Sequence, residues 1–155
     1  GTTFAENARL KAAAVAQATG SPAVADDAGL CVDALDGAPG VYSARYSGPE
    51  ATDAANNATL LDALAQVPDA LRGARFVCVM AATTPDGRWA EARGEWPGRI
   101  TRSLQGQGGF GYDPLFFDPE LGRTAAELTP AEKNARSHRG QALARLLPLL
   151  SALLG

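Results

Sequence analysis

Hydrophobic and polar positions alternate along this chain in a way that predicts helices interleaved with strands. Alanine-rich spacing over 3–19 predicts a helix, with Leu10 and Val15 helping to form its apolar face and Gly20 to end it. The apolar run over 23–25 stops at Asp26 and Asp27 and reads as a buried strand ending at that pair. Leu30, Val32 and Ala34 then alternate, as a second strand would. A loop rich in glycine and proline follows. Thr52 is placed to cap a helix running to Val67, with Leu60, Leu61 and Leu64 as its stripe and Pro68 behind it. Positions 74–83 are apolar on both faces, the mark of a central strand. Beyond a turn at 84–88, strands are predicted over 89–96 and 99–102, the first pairing with the central strand as a hairpin, and another over 115–117. Thr129, Pro130 and Glu132 form the start of a short capped helix. The last helix, 137–154, presents Leu143, Leu146, Leu147 and Leu150 as its inner stripe, and Pro148 should kink it. With no repeat and no linker, this order predicts one mixed α/β domain over 1–155.

Composition narrows the class. The 155 residues are 46% hydrophobic and 20% charged, which suits one soluble globular domain. A net charge of −3 argues against broad nucleic-acid binding but leaves room for a local cationic pocket. No apolar run approaches the roughly 18–20 residues of a membrane span. The only cysteines, Cys31 and Cys78, sit in apolar contexts and read as reduced, buried thiols of a cytosolic protein. No signal peptide is visible, and the chain starts with Gly1 rather than methionine, so a native N-terminus is expected upstream.

Several chemistries fail at once. A single histidine, His138, excludes a multi-histidine metal site. Neither a GxSxG elbow nor a GxxxxGK[ST] phosphate loop occurs. The glycines at 106–111 precede a strand instead of opening a helix, so they are no dinucleotide fingerprint. Asp26 and Asp27 have two readings: a polar strand end, or a hard oxygen ligand for Mg²⁺ or a base for water. Adjacent strand residues face opposite ways, so only one of the two should aim into a site. Glu6 either completes a capping box with Thr3 or serves such a site, and the residues alone favour the cap. Lys133, Arg136, His138 and Arg139 form a solvated helix end or a donor cluster for an acceptor-rich ligand. Phe110 stands among glycines, where the backbone can approach a flat ligand. Carboxylates, cationic donors and an open aromatic ring are what a nucleotide requires.

These segments also carry a resemblance. "TFAENARLKA" at 3–12, "ADDAGLCVDALDGAPGVYSARYSG" at 25–48, "GGFGYDPLFF" at 108–117 and "AELTPAEKNARSHRGQAL" at 126–143 closely resemble the inosine/xanthosine triphosphate pyrophosphatase family. The likeness runs from Thr3 into the final helix. It implies an elongated, twisted mixed sheet flanked by helices, with two lobes around a nucleotide cleft, in a cytoplasmic homodimer. The implied reaction is Mg²⁺-dependent hydrolysis of ITP, dITP or XTP to the monophosphate and pyrophosphate. By the same resemblance Asp27 is the proton acceptor and a metal ligand, Glu6 is a second metal ligand, and Phe110 stacks on the purine. Gly111, Tyr112 and Asp113 line that pocket; Lys133, His138 and Arg139 contact the nucleoside end.

Two departures accompany the likeness. The family's first strand and Thr/Ser-x-Asn-x-x-Lys phosphate loop have no counterpart in the chain, so a chain that truly began at Gly1 would lose its main triphosphate anchor. The family's usual "DDSGL" is "DDAGL" here, so Ala28, a substrate-binding position, offers its backbone N–H without a hydroxyl. Two rivals follow: a Maf-like nucleotide pyrophosphatase, against which the motifs speak, and a nucleotide-binding module without catalysis.

Overall fold

Residues 1–155 are described by a computed structural model. Four α-helices and five strands form along the chain: α1 (Phe4–Thr19), β1 (Ala23–Val32), α2 (Asp53–Ala63), β2 (Gly73–Thr83), β3 (Trp89–Ile100), β4 (Phe116–Asp118), β5 (Arg123–Thr124), α3 (Pro130–Arg136) and α4 (His138–Leu154). The strands make one sheet in the order β1-β2-β3-β4-β5. β3 pairs antiparallel with β4, Ile100 opposite Phe116, and β4 pairs antiparallel with β5, Phe117 opposite Thr124. This is the mixed α/β fold expected, an antiparallel sheet flanked by helices. The chain divides into two compact units. The first is Gly1–Ala28, Val77–Glu95 and Ala135–Gly155; the second is Gly29–Phe76 and Trp96–Asn134.

The helix starts follow local chemistry. Thr3, Thr52, Thr129 and Ser137 each accept, through the side-chain oxygen, a backbone N–H from three residues on, satisfying donors that the first turn leaves open. At the far end of α1, Gly20 takes φ +67°, the left-handed conformation that glycine adopts without strain.

In the first unit, the buried face of α1 is Phe4, Ala8, Ala12 and Ala16, one residue per turn. Leu10 and Val15, expected on that face, are 57% and 50% exposed. Alanines on the inner stripe let the helix axis lie close to its support, which larger side chains would hold off. α4 departs from expectation in the same way. Its buried residues are His138, Ala142 and Leu146, whereas Leu143 and Leu147 face outward. The close approach is measurable at Gly94 of β3: a Cβ there would lie 2.1 Å from the His138 carbonyl and 2.8 Å from Ala142 N. α4 runs as one helix through Pro148.

Two expected strand breaks are absent. β1 continues through Asp26 and Asp27, so the pair sits within a strand and not at its end. Both carboxylates find donors there, as set out below, which removes the reason to stop. β3 continues through Pro97 and Gly98. The glycine is needed, since a Cβ would lie 2.5 Å from Phe117 O and 2.7 Å from the Phe116 ring.

The core of the second unit gathers Leu30, Val32, Leu60, Leu64, Phe76, Trp96, Ile100, Leu115 and Phe116. Phe116 contacts both Phe76, centroids 4.4 Å apart, and Trp96, 5.0 Å apart and edge-on. Each such side chain contributes about 1.5–3 kcal/mol by leaving water. Trp96 Nε1 donates to Asp118 Oδ2 at 2.9 Å, so the buried indole is satisfied. Arg72 is also buried, and its guanidinium donates to the carbonyls of Leu64 (2.6 Å), Ile100 (2.9 Å) and Thr101 (2.9 Å). Burial, and then the nearby Arg102, lowers its pKa.

Candidate functional site

Glu6, Asp26 and Asp27 belong to the first unit. β1 alternates its side chains, so Asp26 and Asp27 project to opposite faces, and their partners show this. Asp27 meets α1: Asn7 Nδ2 donates to Oδ2 and Lys11 Nζ to Oδ1, both at 3.1 Å. Asn7 and Lys11 lie four residues apart, one turn, and so share a helix face. Lys11 also donates to the Asp26 carbonyl at 2.9 Å, fixing the backbone beside the carboxylate. Asp26 meets α4 and β2: Arg139 Nε donates to Oδ2 at 2.9 Å, and the Cys78 thiol lies 3.8 Å from the same oxygen. Burial, followed by the Asp26 charge, pushes the Cys78 pKa up to about 12, so this thiol stays protonated and unreactive. Cys31 and Cys78 are both buried and form no disulfide.

Glu6 occupies the first turn of α1, next to Asn7. Its backbone N–H donates to Thr3 Oγ1 at 3.1 Å, while its carboxylate accepts from Thr2 N at 3.4 Å. Only half of the expected capping box is therefore formed, and the Glu6 side chain is not committed to the Thr3 N–H. Ala28 follows Asp27 on β1 and is half-buried.

A divalent cation can be tested against these residues. Glu6 and Asp27 offer carboxylate oxygens, the hard donors suited to a small divalent ion. No group of three His, Cys, Asp or Glu side chains converges anywhere in the chain. The donor set thus fits an ion held by one or two carboxylates that keeps waters and takes further oxygens from a phosphorylated ligand, and not an all-protein cage.

The aromatic loop belongs to the second unit. Gly109 and Gly111 flank Phe110 with φ +69° and +59°, both left-handed. A Cβ at Gly109 would collide with the Asp113 carboxylate. Phe110 is 62% exposed. The buried Asp113 ties the loop together: its Oδ2 accepts from Phe110 N at 3.1 Å and from Lys133 Nζ. Lys133 in turn stands 4.4 Å from the Phe110 ring centroid, within cation–π range. Two α2 side chains hold Gly111: Asp53 Oδ2 accepts its N–H at 2.9 Å, and Asn57 Nδ2 donates to its carbonyl at 3.0 Å. Tyr112 is placed in the core, 6% exposed, with its hydroxyl donating to Ser43 O at 2.6 Å. Burial raises its pKa.

The structure therefore groups Glu6, Asp27, Ala28, His138 and Arg139 in the first unit and Phe110, Gly111, Tyr112, Asp113 and Lys133 in the second. His138 is buried in the first turn of α4. Sequence reasoning missed Asn7, Lys11, Asp53 and Asn57. The available signal was the four-residue spacing of each polar pair on a helix.

Known proteins place this arrangement. A protein of Nocardia farcinica named dITP/XTP pyrophosphatase is 60% identical over 153 residues, covering 99% of this chain and 74% of its own length. A protein of the same name from Nitratidesulfovibrio vulgaris is 60% identical over 158 residues, 98% of this chain and 76% of its own. Among solved structures, a HAM1 protein from Coxiella burnetii superposes with a TM-score of 0.92 at 49% identity, covering 98% of this chain and 78% of that one. Residues 1–149 match the family model described as Ham1 family, and the chain belongs to that family.

Proposed function

We propose that this protein hydrolyses the α–β phosphoanhydride of deaminated purine nucleoside triphosphates, dITP, ITP and XTP, to the monophosphate and pyrophosphate. The observation that carries the reading is 60% identity, over nearly the whole chain, to proteins named dITP/XTP pyrophosphatase.

The chemistry follows from the residues. Asp27 accepts the proton of a water whose oxygen attacks phosphorus; the bridging P–O bond breaks and pyrophosphate carries away the bonding pair. Asn7 and Lys11, one on each carboxylate oxygen, hold Asp27 in a single orientation for that transfer. Glu6 and Asp27 hold Mg²⁺, which when bound supplies positive charge against the phosphate oxygens. Phe110 stacks on the base, with Lys133, His138 and Arg139 as donors at the nucleoside end. Hypoxanthine and xanthine carry an acceptor oxygen where adenine carries an amino donor, so donors without acceptor capacity prefer the deaminated bases. A homodimer in the cytoplasm completes the reading; buried thiols suit a reducing compartment, and no helix is long and apolar enough to cross a membrane.

Asp27→Asn tests it. The amide keeps the shape but loses the basicity, and dITP turnover with Mg²⁺ should fall about 10²–10⁴-fold while the chain still unfolds in one cooperative thermal transition. Turnover within a few-fold of the parent would remove Asp27 from the proton transfer.

A further inference from the structure

One residue of the aromatic loop is held at both of its backbone groups by a single helix. Asp53 accepts the Gly111 N–H and Asn57 donates to the Gly111 carbonyl, so both hydrogen-bonding groups of that residue are engaged by α2. The two side chains are one turn apart and share a face. Thr52 caps the helix immediately before Asp53, which fixes where the first turn begins.

The loop needs such a grip. Gly111 is left-handed although a Cβ there would meet nothing within 4 Å, so its conformation is demanded by the path of the chain and not by crowding. With 62% of Phe110 exposed, packing alone does not set the direction of the ring. Its backbone does. That backbone is held at the Phe110 N–H by Asp113 and at the next residue by α2. Asn57 adds a second observation. It is 5% exposed, and its Oδ1 has no hydrogen-bond partner. A buried amide left half-satisfied is unfavourable. The cost is borne at the point where the other half of the same amide holds Gly111.

We propose that Asp53 and Asn57 are positioning residues for purine recognition: by locking the Gly111 backbone on both sides they aim the Phe110 ring at the base. The proposal rests on the reading above, in which Phe110 stacks on the purine. Neither side chain need touch the substrate. Because they act through stacking, which tolerates any base, they govern affinity for the nucleoside and leave both the chemical step and the choice of base alone.

Asp53 is exposed, so its substitution spares the core. Steady-state constants for dITP and dATP are measured for the parent, Asp53→Ala, Asp53→Asn, Phe110→Ala and the Asp53→Ala/Phe110→Ala double variant, with thermal midpoints alongside. Asp53→Ala should raise KM for dITP by roughly 3- to 10-fold, the range one hydrogen bond supports, with kcat held within about twofold and kcat/KM for the two substrates reduced by the same factor. Asp53→Asn, whose amide oxygen can still accept the Gly111 N–H, should recover most of the loss. In the Phe110→Ala background Asp53→Ala should add nothing, because the ring it aims is gone. An unchanged KM in Asp53→Ala, or effects that multiply in the double variant, would overturn the positioning role while base stacking stands. An unchanged KM in Phe110→Ala is a different failure: it would remove base stacking itself, and the proposal with it.

Discussion

Arg139 Nε donates to Asp26 Oδ2 at 2.9 Å, joining β1 to α4 across 113 positions of sequence. The bond fixes the plane of the guanidinium, whose N–H groups donate and cannot accept. In the proposed enzyme they select the base. Arg139→Ala should lower kcat/KM for dITP at least tenfold more than for dATP, as expected where a site built around a hydrogen bond loses it. Asp26→Asn should shift the same ratio in the same direction by less, since the arginine remains but is less firmly aimed. Equal losses on both substrates would assign Arg139 to the phosphates or the fold.

Glu6→Gln separates a cap from a metal ligand. Thr3 Oγ1 bonds the Glu6 backbone N–H, which glutamine retains, so the thermal midpoint should hold. The Mg²⁺ concentration giving half-maximal activity should rise severalfold, because a neutral amide is a poorer ligand for a hard cation. An unchanged Mg²⁺ titration would return Glu6 to the cap alone.

Arg72→Ala should lower the free energy of unfolding by about 3 kcal/mol, because it strands several buried carbonyls that accepted from a charged donor. Arg72→Lys should recover only part of that, since an ammonium cannot reach a fan of acceptors as a planar fork does. Urea unfolding of the three proteins measures both. A loss under 1 kcal/mol would show that water replaces the guanidinium.

Glu132 links pH to stability. Its hydrogen bonds with Arg123, and then with Thr129 N, hold its carboxyl down at about 2, against 4.5 for the free side chain. A depressed carboxyl contributes stability that is present above its unfolded value and lost as pH falls through its folded value. The thermal midpoint of the parent should therefore exceed that of Glu132→Gln at pH 7, and the gap should close between about 4.5 and about 2. The pair is partly exposed, so the gap should be a few degrees at most and shrink in salt. A gap that persists at pH 2 would mean that the charge is not its source.

Much of the fold was legible because its signals are local. Thr3, Thr52 and Thr129 all cap helices as their spacing implies, and the doubly apolar run ending at Thr83 is an interior strand. What misled was the assumption that the largest apolar side chains mark the buried face. Ala8, Ala12 and Ala16 are buried where Leu10 and Val15 are not, because closeness of backbones decided the packing. β5, two residues long, has no pattern to read. At the candidate site the motifs themselves stood out, but their holders did not. Lys11 reaches Asp27 from 16 residues away and Asp53 reaches Gly111 from 58. Such partners are chosen by tertiary structure; the four-residue spacing marks a shared helix face but does not say what that face meets.

Gly94 carries a consequence for genetics. With the His138 carbonyl 2.1 Å from where its Cβ would be, even the smallest substitution must push α4 off β3, and α4 begins with His138 and Arg139. In a screen for inactive alleles this glycine would score beside the substrate donors while touching no substrate.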